Sequence, residues 1–234
     1  MNEDFSWVTF YPAVCNGLKK YASDRRALLA FLFEKLPEET TYLHNPEGVK
    51  VRDIDPFTFL GVMNRHISDP KKSLVAEAFK EFFEVKEPIP QNFHGIPPLS
   101  NENSMFFSFK DGKTAEDIQN LWNFFLALLD NSQDVGSMFD RLTTTQYGIK
   151  FNLTIGMYWV CPDVYFPLDG PSRRFLQEHG IEVGHKIPSF AEYKTIIEEV
   201  KSKVCEKPFN QESFAKITRS IFLNDIVKNN GKAG

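Results

Sequence analysis

Asp69-Pro70-Lys71-Lys72-Ser73-Leu74-Val75-Ala76-Glu77-Ala78-Phe79-Lys80-Glu81-Phe82-Phe83 carries the clearest structural signal in the chain. Asp before Pro starts a helix, because the carboxylate accepts an orphaned amide and Pro at the first helical position gives up no intrahelical bond. Leu74, Val75, Ala78, Phe79, Phe82 and Phe83 then recur at spacings of three and four, one apolar stripe on a helix. Asp55-Pro56 is the same device and predicts a helix from Pro56 to about Met63, with Phe57 and Leu60 facing the core.

Helix signals continue in both directions. Apolar residues from Val8 to Leu36 predict one or two opening helices, with Asp24 as a cap ahead of Ala27, Leu28, Leu29, Phe31 and Leu32. Thr114 to Asp117 opens an apolar helix through Ile118, Leu121, Trp122, Phe125, Leu128 and Leu129. The run Ile149 to Val160 fits helix or strand, and helix is the preferred reading, followed by a short extended stretch from Val164 to Leu168. Gly170-Pro171 starts a helix that ends at Gly180, and Ser189 with Glu192 forms a capping box before Phe190, Tyr193, Ile196, Ile197, Val200 and Val204. A last helix spans about Gln211 to Val227.

Breakers mark the rest. Residues 37–50 read as loop, and Pro88, Pro90, Gly95, Pro97 and Pro98 exclude regular helix or interior strand from residues 86–104. Met105 to Phe109 reads as a short strand closed by an Asp111-Gly112 turn. The fold expected is mainly α, a single multi-helix globular domain of eight or nine helices with at most a small β element. Residues 1–186 form its body, and residues 187–234 a C-terminal helical extension packing on it.

Composition bounds the function. With 25% charged and 42% hydrophobic residues among 234, the chain lies in the globular range. Its 23 Phe point to a core built on ring packing. The net charge of −4, divided at position 130 into 14 basic against 19 acidic residues before and 13 against 12 after, argues against indiscriminate nucleic-acid binding but leaves room for a local basic face. Cys15, Cys161 and Cys205 make neither a zinc motif nor a disulfide framework, which fits a reducing cytoplasm. No signal peptide or membrane-length apolar run is visible.

Phosphate-loop, dinucleotide-fold, zinc-protease, nucleophile-elbow and EF-hand signatures are all missing. His44, His66, His94, His179 and His185 lack metal spacing, so no metal, cofactor or catalytic residue is assigned. What remains is charge. Asn64-Arg65 ends the Pro56 helix, where a cation is favourable, yet Asn beside Arg also suits base edges and phosphate. Arg173-Arg174 lies in the first turn or two of the Pro171 helix, where cations oppose the dipole and call for an anion, either Asp169 or an external phosphate, and Lys71-Lys72 in the first turn after Pro70 repeats that conflict. Trp159, Tyr158 and Phe57 read either as core or as the walls of a base pocket.

Four phrases together resemble the N-terminal region that precedes the AAA+ GTPase module in a subset of McrB-like restriction proteins. They are Asp53 to Arg65 (DIDPFTFLGVMNR), Pro88-Ile89-Pro90 with Phe93, Gly95, Ile96 and Pro97, Leu121-Trp122-Asn123, and Asn152 to Trp159 (NLTIGMYW). The resemblance spans roughly residues 50–180; this chain has His66 where the family pattern places Gly after Asn-Arg, and these 234 residues contain no motor module. It implies a non-catalytic module of a modification-dependent restriction or phage-defence system, binding DNA that often carries modified cytosine. Its partners would be an AAA+ GTPase motor, in the same or a related chain, and an McrC-like nuclease.

DNA-binding residues on this reading are Asn64, Arg65, Lys71, Lys72, Arg173 and Arg174, with Trp159, Tyr158 and Phe57 as the base pocket. Two alternatives stand beside it. One is a helical assembly module that never meets DNA, and the other is a small helical DNA-repair-type enzyme with Asp169 as its acid.

Overall fold

A computed structural model describes residues 4–44, 47–107 and 114–230, and its framework is helical. In chain order the helices are α1 (Trp7–Leu18), α2 (Arg25–Lys35), α3 (Glu38–Thr41), α4 (Pro56–Gly61), α5 (Asp69–Phe82), α6 (Asp117–Leu129), α7 (Val135–Thr145), α8 (Asn152–Val160), α9 (Gly170–Glu178), α10 (Phe190–Lys203) and α11 (Ser213–Asn230). A 3-10 turn, Lys19–Tyr21, follows α1. Among the described residues β structure is confined to two isolated bridges, His44 with Lys50 and Arg65 with Leu99. The expected mainly α single domain is what forms.

The centre is the mutual packing of α4, α6 and α8. Every residue of α4 and of α8 is buried, so both helices lack the polar stripe that a surface helix shows. Gly156 lets them approach: a Cβ there would stand 2.7 Å from Phe57 Cδ1. Polar side chains tie the surrounding backbone to this centre. Trp122 Nε1 donates to the Ile54 carbonyl at 2.9 Å, Thr58 Oγ1 accepts from Phe106 N at 3.0 Å, and Thr154 Oγ1 accepts from Leu168 N at 3.0 Å.

Rings extend the core outward. Phe31 of α2 stacks on Phe82 of α5 at 4.1 Å, and Phe59 of α4 on Phe79 of α5 at 4.7 Å. Trp7 of α1 meets Tyr158 edge-on at 5.4 Å. Tyr193 of α10 stacks on Phe139 of α7 and donates to the Phe166 carbonyl at 2.7 Å. Tyr193, Val200, Phe214 and Ala215 are fully buried, so α10 and α11 pack into the same core as the helices before them.

Local signals agree with the structure where a side chain closes its own turn. Asp55 accepts from Phe57 N and Thr58 N, Ser189 and Glu192 form the full capping box, and Gly180 takes φ +68°. The α5 start differs, since its cap is Ser68 and no side-chain cap bond forms. Leu74 is correspondingly not part of the buried stripe: it is 44% exposed, while Val75, Ala76, Phe79 and Phe83 turn inward. Adjacent helical positions differ by about 100°, so Leu74 and Val75 cannot both face the core squarely.

Other expectations are corrected. Residues 37–50 contain the short α3, and Met105 to Phe107 is irregular; Ser108 to Gly112, the rest of the expected strand and turn, lies outside the described residues. Helix α7 is not among the expected helices, although Val135, Phe139 and Leu142 bury at helical spacing. Gly136 and the run Thr143-Thr144-Thr145 weaken its local propensity, and packing against α6 and α10 supplies what propensity lacks.

Candidate functional site

The loop of residues 93–104 and the first turns of α8 and α9 meet the distal half of α11 around a cleft of about 620 Å³. Pro98, Leu99, Phe151, Ile155, Leu168 and Phe222 make its walls largely apolar, and His66, Lys150, Arg173, Asp169 and Asp225 bring charge to its edge. A recess of about 70 Å³ continues from it, lined again by Pro98, Asp169, Pro171, Phe222 and Asp225. Two further hollows, of about 470 and 410 Å³, lie elsewhere, the first bordered by Phe175, His179, Lys207 and Lys216 and the second by Phe5 and Lys216.

Each wall is held for a stated reason. Asp169 caps α9 by accepting from Ser172 N at 3.2 Å. Asn152 accepts from Lys150 N at 2.7 Å and donates to the Asn103 carbonyl at 3.1 Å, which joins the start of α8 to the loop. Leu99 N donates to the Asn64 carbonyl at 2.8 Å, and Arg65 Nε donates to Ser104 Oγ at 2.8 Å. The loop therefore rests on the Asn64-Arg65 pair.

That arrangement corrects the first pair of expected DNA contacts. Asn64 is 2% exposed and Arg65 0%, and their polar atoms point inward. Asn64 accepts from the Tyr11 hydroxyl and donates to the Leu60 carbonyl, while Arg65 also donates to the Thr41 carbonyl and lies over the Tyr42 ring. Burial pushes the Arg65 pKa down to about 10, with the Tyr42 hydroxyl partly offsetting it. These two residues shape the cleft wall and do not reach its surface.

The expected base pocket is corrected likewise, because Trp159, Tyr158 and Phe57 are all fully buried. Tyr158 bonds Thr218 of α11 at 2.8 Å, and desolvation raises its pKa well above the usual range. Lys71 is exposed on α5. Lys72 is folded down, 3.9 Å from Asp69 and 5.5 Å over the Phe93 ring, where burial lowers its pKa.

Arg173 lines the cleft, and Arg174 stands beside it through its partner Asp225. The Arg173 guanidinium lies 4.2 Å over the Phe151 ring, and its Nε is buried with no hydrogen-bond partner. Arg174 is exposed and meets Asp225 of α11 at 3.3 Å. The profile of a domain of unknown function, DUF8425, matches residues 7–222. The chain belongs to the DUF8425 family. No curated protein and no solved structure matches it.

In this DUF8425 chain the matched region takes in every wall of the cleft up to Phe222. Burial raises the Asp169 pKa, and the Ser172 cap bonds and Arg174 pull it back only in part. Among the described residues no group of three or more His, Cys, Asp or Glu is clustered for a metal, and no helix is long and apolar enough to cross a membrane. Sequence reasoning does not find His66, Lys150, Phe151, Phe222 and Asp225. Lys150-Phe151 directly precedes the NLTIGMYW phrase and is within its reach; nothing local brings Phe222 and Asp225 to α9.

Proposed function

We propose that this chain is a non-catalytic DNA-binding specificity module of a modification-dependent, McrBC-like restriction system, working with an AAA+ GTPase motor in the same or a related chain and an McrC-like nuclease. The observation that carries the reading is the cleft itself, where aromatic walls at Phe151 and Phe222 stand beside Arg173, whose Nε is unpartnered, and beside exposed Lys150 and His66. A cleft of several hundred Å³ has the capacity to seat one extruded nucleotide. Apolar rings favour stacking, and cations at the first turn of α9 favour the flanking phosphate. Parts of the phrases behind the McrB-like resemblance border this place: Asn152 and Ile155 line the cleft, Gly95, Ile96 and Pro97 line its recess, and Asn64-Arg65, just past α4, supports the loop.

Titration of fluorescent methylated and unmethylated duplexes at low salt tests it. Binding is expected to weaken on every sequence in Arg173→Ala and Arg174→Ala, with the logarithmic salt slope falling by about one for each phosphate that is no longer neutralised. An unchanged slope removes both residues from the interface. The net charge of −4 favours a second reading, a helical assembly module that couples a sensor to its motor. Failure of wild-type protein to bind either duplex supports that one.

A further inference from the structure

Asp225 stands in front of the first turn of α9. Its Oδ2 lies 3.3 Å from Arg174 Nη2, and it lines both the cleft and the recess beside Asp169 and Pro171. The helix that carries it is anchored at its other end. Phe214 and Ala215 are fully buried, Thr218 bonds Tyr158, and the backbone at Arg219 presses on Gly95 so closely that a Cβ there would meet Arg219 N at 2.6 Å. Past that anchor the helix is open: Phe222 and Leu223 are half-buried, and Ile226 and Val227 are 40% and 70% exposed. The fold thus holds a carboxylate on Arg174, the exposed cation that an incoming phosphate would meet, while the first turn of α9 is already closed by Asp169.

We infer that Asp225 is an autoinhibitory latch, a carboxylate that occupies the Arg174 side of the cleft in the free protein and is displaced by a nucleic-acid phosphate. The inference rests on the cleft being a DNA site. The two side chains, Arg174 and Asp225, are 64% and 34% exposed, and ion pairs this open shift an equilibrium by roughly two- to five-fold. A latch of that strength discriminates against weak or singly charged anions while yielding to a polyanion. Release needs only rotation of the Asp225 side chain, because the anchored half of α11 has no reason to move.

The test is a double-mutant cycle read by fluorescence anisotropy on a labelled duplex at low salt, using wild type, Asp225→Asn, Arg174→Ala and the double variant. Asp225→Asn keeps size and helix, and circular dichroism checks the fold of all four proteins. The latch predicts that Asp225→Asn tightens wild-type binding by roughly two- to five-fold and tightens Arg174→Ala binding by less than about 1.5-fold. Equal tightening in both backgrounds means a general charge effect and overturns the latch while leaving the DNA site standing. Weaker binding by Asp225→Asn also overturns it. If none of the four proteins binds, the DNA reading fails, and the latch with it.

Discussion

The Tyr11 hydroxyl donates to Asn64 Oδ1 at 2.6 Å, joining α1 to the turn that follows α4 across 53 residues of chain. Asn64 passes the constraint on, since its carbonyl receives Leu99 N and so fixes the proline loop that walls the cleft. A residue pair that reads in sequence as a DNA contact is thereby a structural joint. Tyr11→Phe leaves a buried amide oxygen without its donor and is expected to cost about 1–3 kcal/mol in chemical denaturation. An unchanged midpoint together with abolished DNA binding would return Asn64 to the interface.

Arg65→Ala removes the donors held by the Ser104 hydroxyl and the Thr41 carbonyl and leaves a cavity beneath the same loop. The expected loss is about 3 kcal/mol or more. Arg65→Lys recovers only part of it, because an ammonium cannot span both acceptors with a planar fork. Denaturation midpoints of the two variants check the order.

Asp55 sets a pH dependence. Burial raises its pKa from 3.8 to about 6 against the opposing cap bonds from Phe57 and Thr58. A carboxyl harder to ionise in the fold than in the unfolded chain penalises the fold above pH about 6, and the penalty fades as pH falls from there toward 3.8. The full effect is on the order of 3 kcal/mol, with about half recovered by pH 5. Asp55→Asn keeps a competent cap, so its stability at pH 7.5 relative to pH 5 should exceed that of wild type by that half. Parallel pH profiles of the two proteins remove this contribution from Asp55.

Gly156→Ala pushes a methyl to within 2.7 Å of the Phe57 ring and forces α4 and α8 apart. Overpacking of this kind costs about 1–3 kcal/mol. Gly95→Ala meets backbone at 2.6 Å and must also hold φ +90°, so it is expected to cost more and to loosen α11 from the loop. Amide exchange in α11 reads the loosening directly; unaltered protection there would refute the anchoring role of Gly95.

The parts of the fold legible in sequence are those closed within a few residues. Asp55-Pro56, the Ser189-Glu192 box and Gly180 each settle their own termini. Leu74 and α7 are not legible, because periodicity gives the existence of a face and not its exact direction, and because tertiary contacts override weak propensity. Of the residues that line the cleft, Arg173 is one the sequence also singles out, through the conflict between cations and a helix N-terminus. Asn64, Arg65, Trp159, Tyr158 and Phe57 are not legible, since nothing local tells a polar or aromatic residue that faces solvent from one with a distant buried partner.

The sequence by itself determined a mainly α chain with an aromatic core and most of its helix boundaries, because caps, breakers and 3.6-residue periodicity act over a single turn or two. Tertiary structure alone decided that the distinctive aromatics are core, that Asn64-Arg65 supports a loop, and that Phe222 and Asp225 of α11 complete a cleft begun by α8 and α9. Those outcomes depend on pairings between residues dozens of positions apart, Tyr11 with Asn64 and Tyr158 with Thr218 among them, and no local spacing encodes such a pairing.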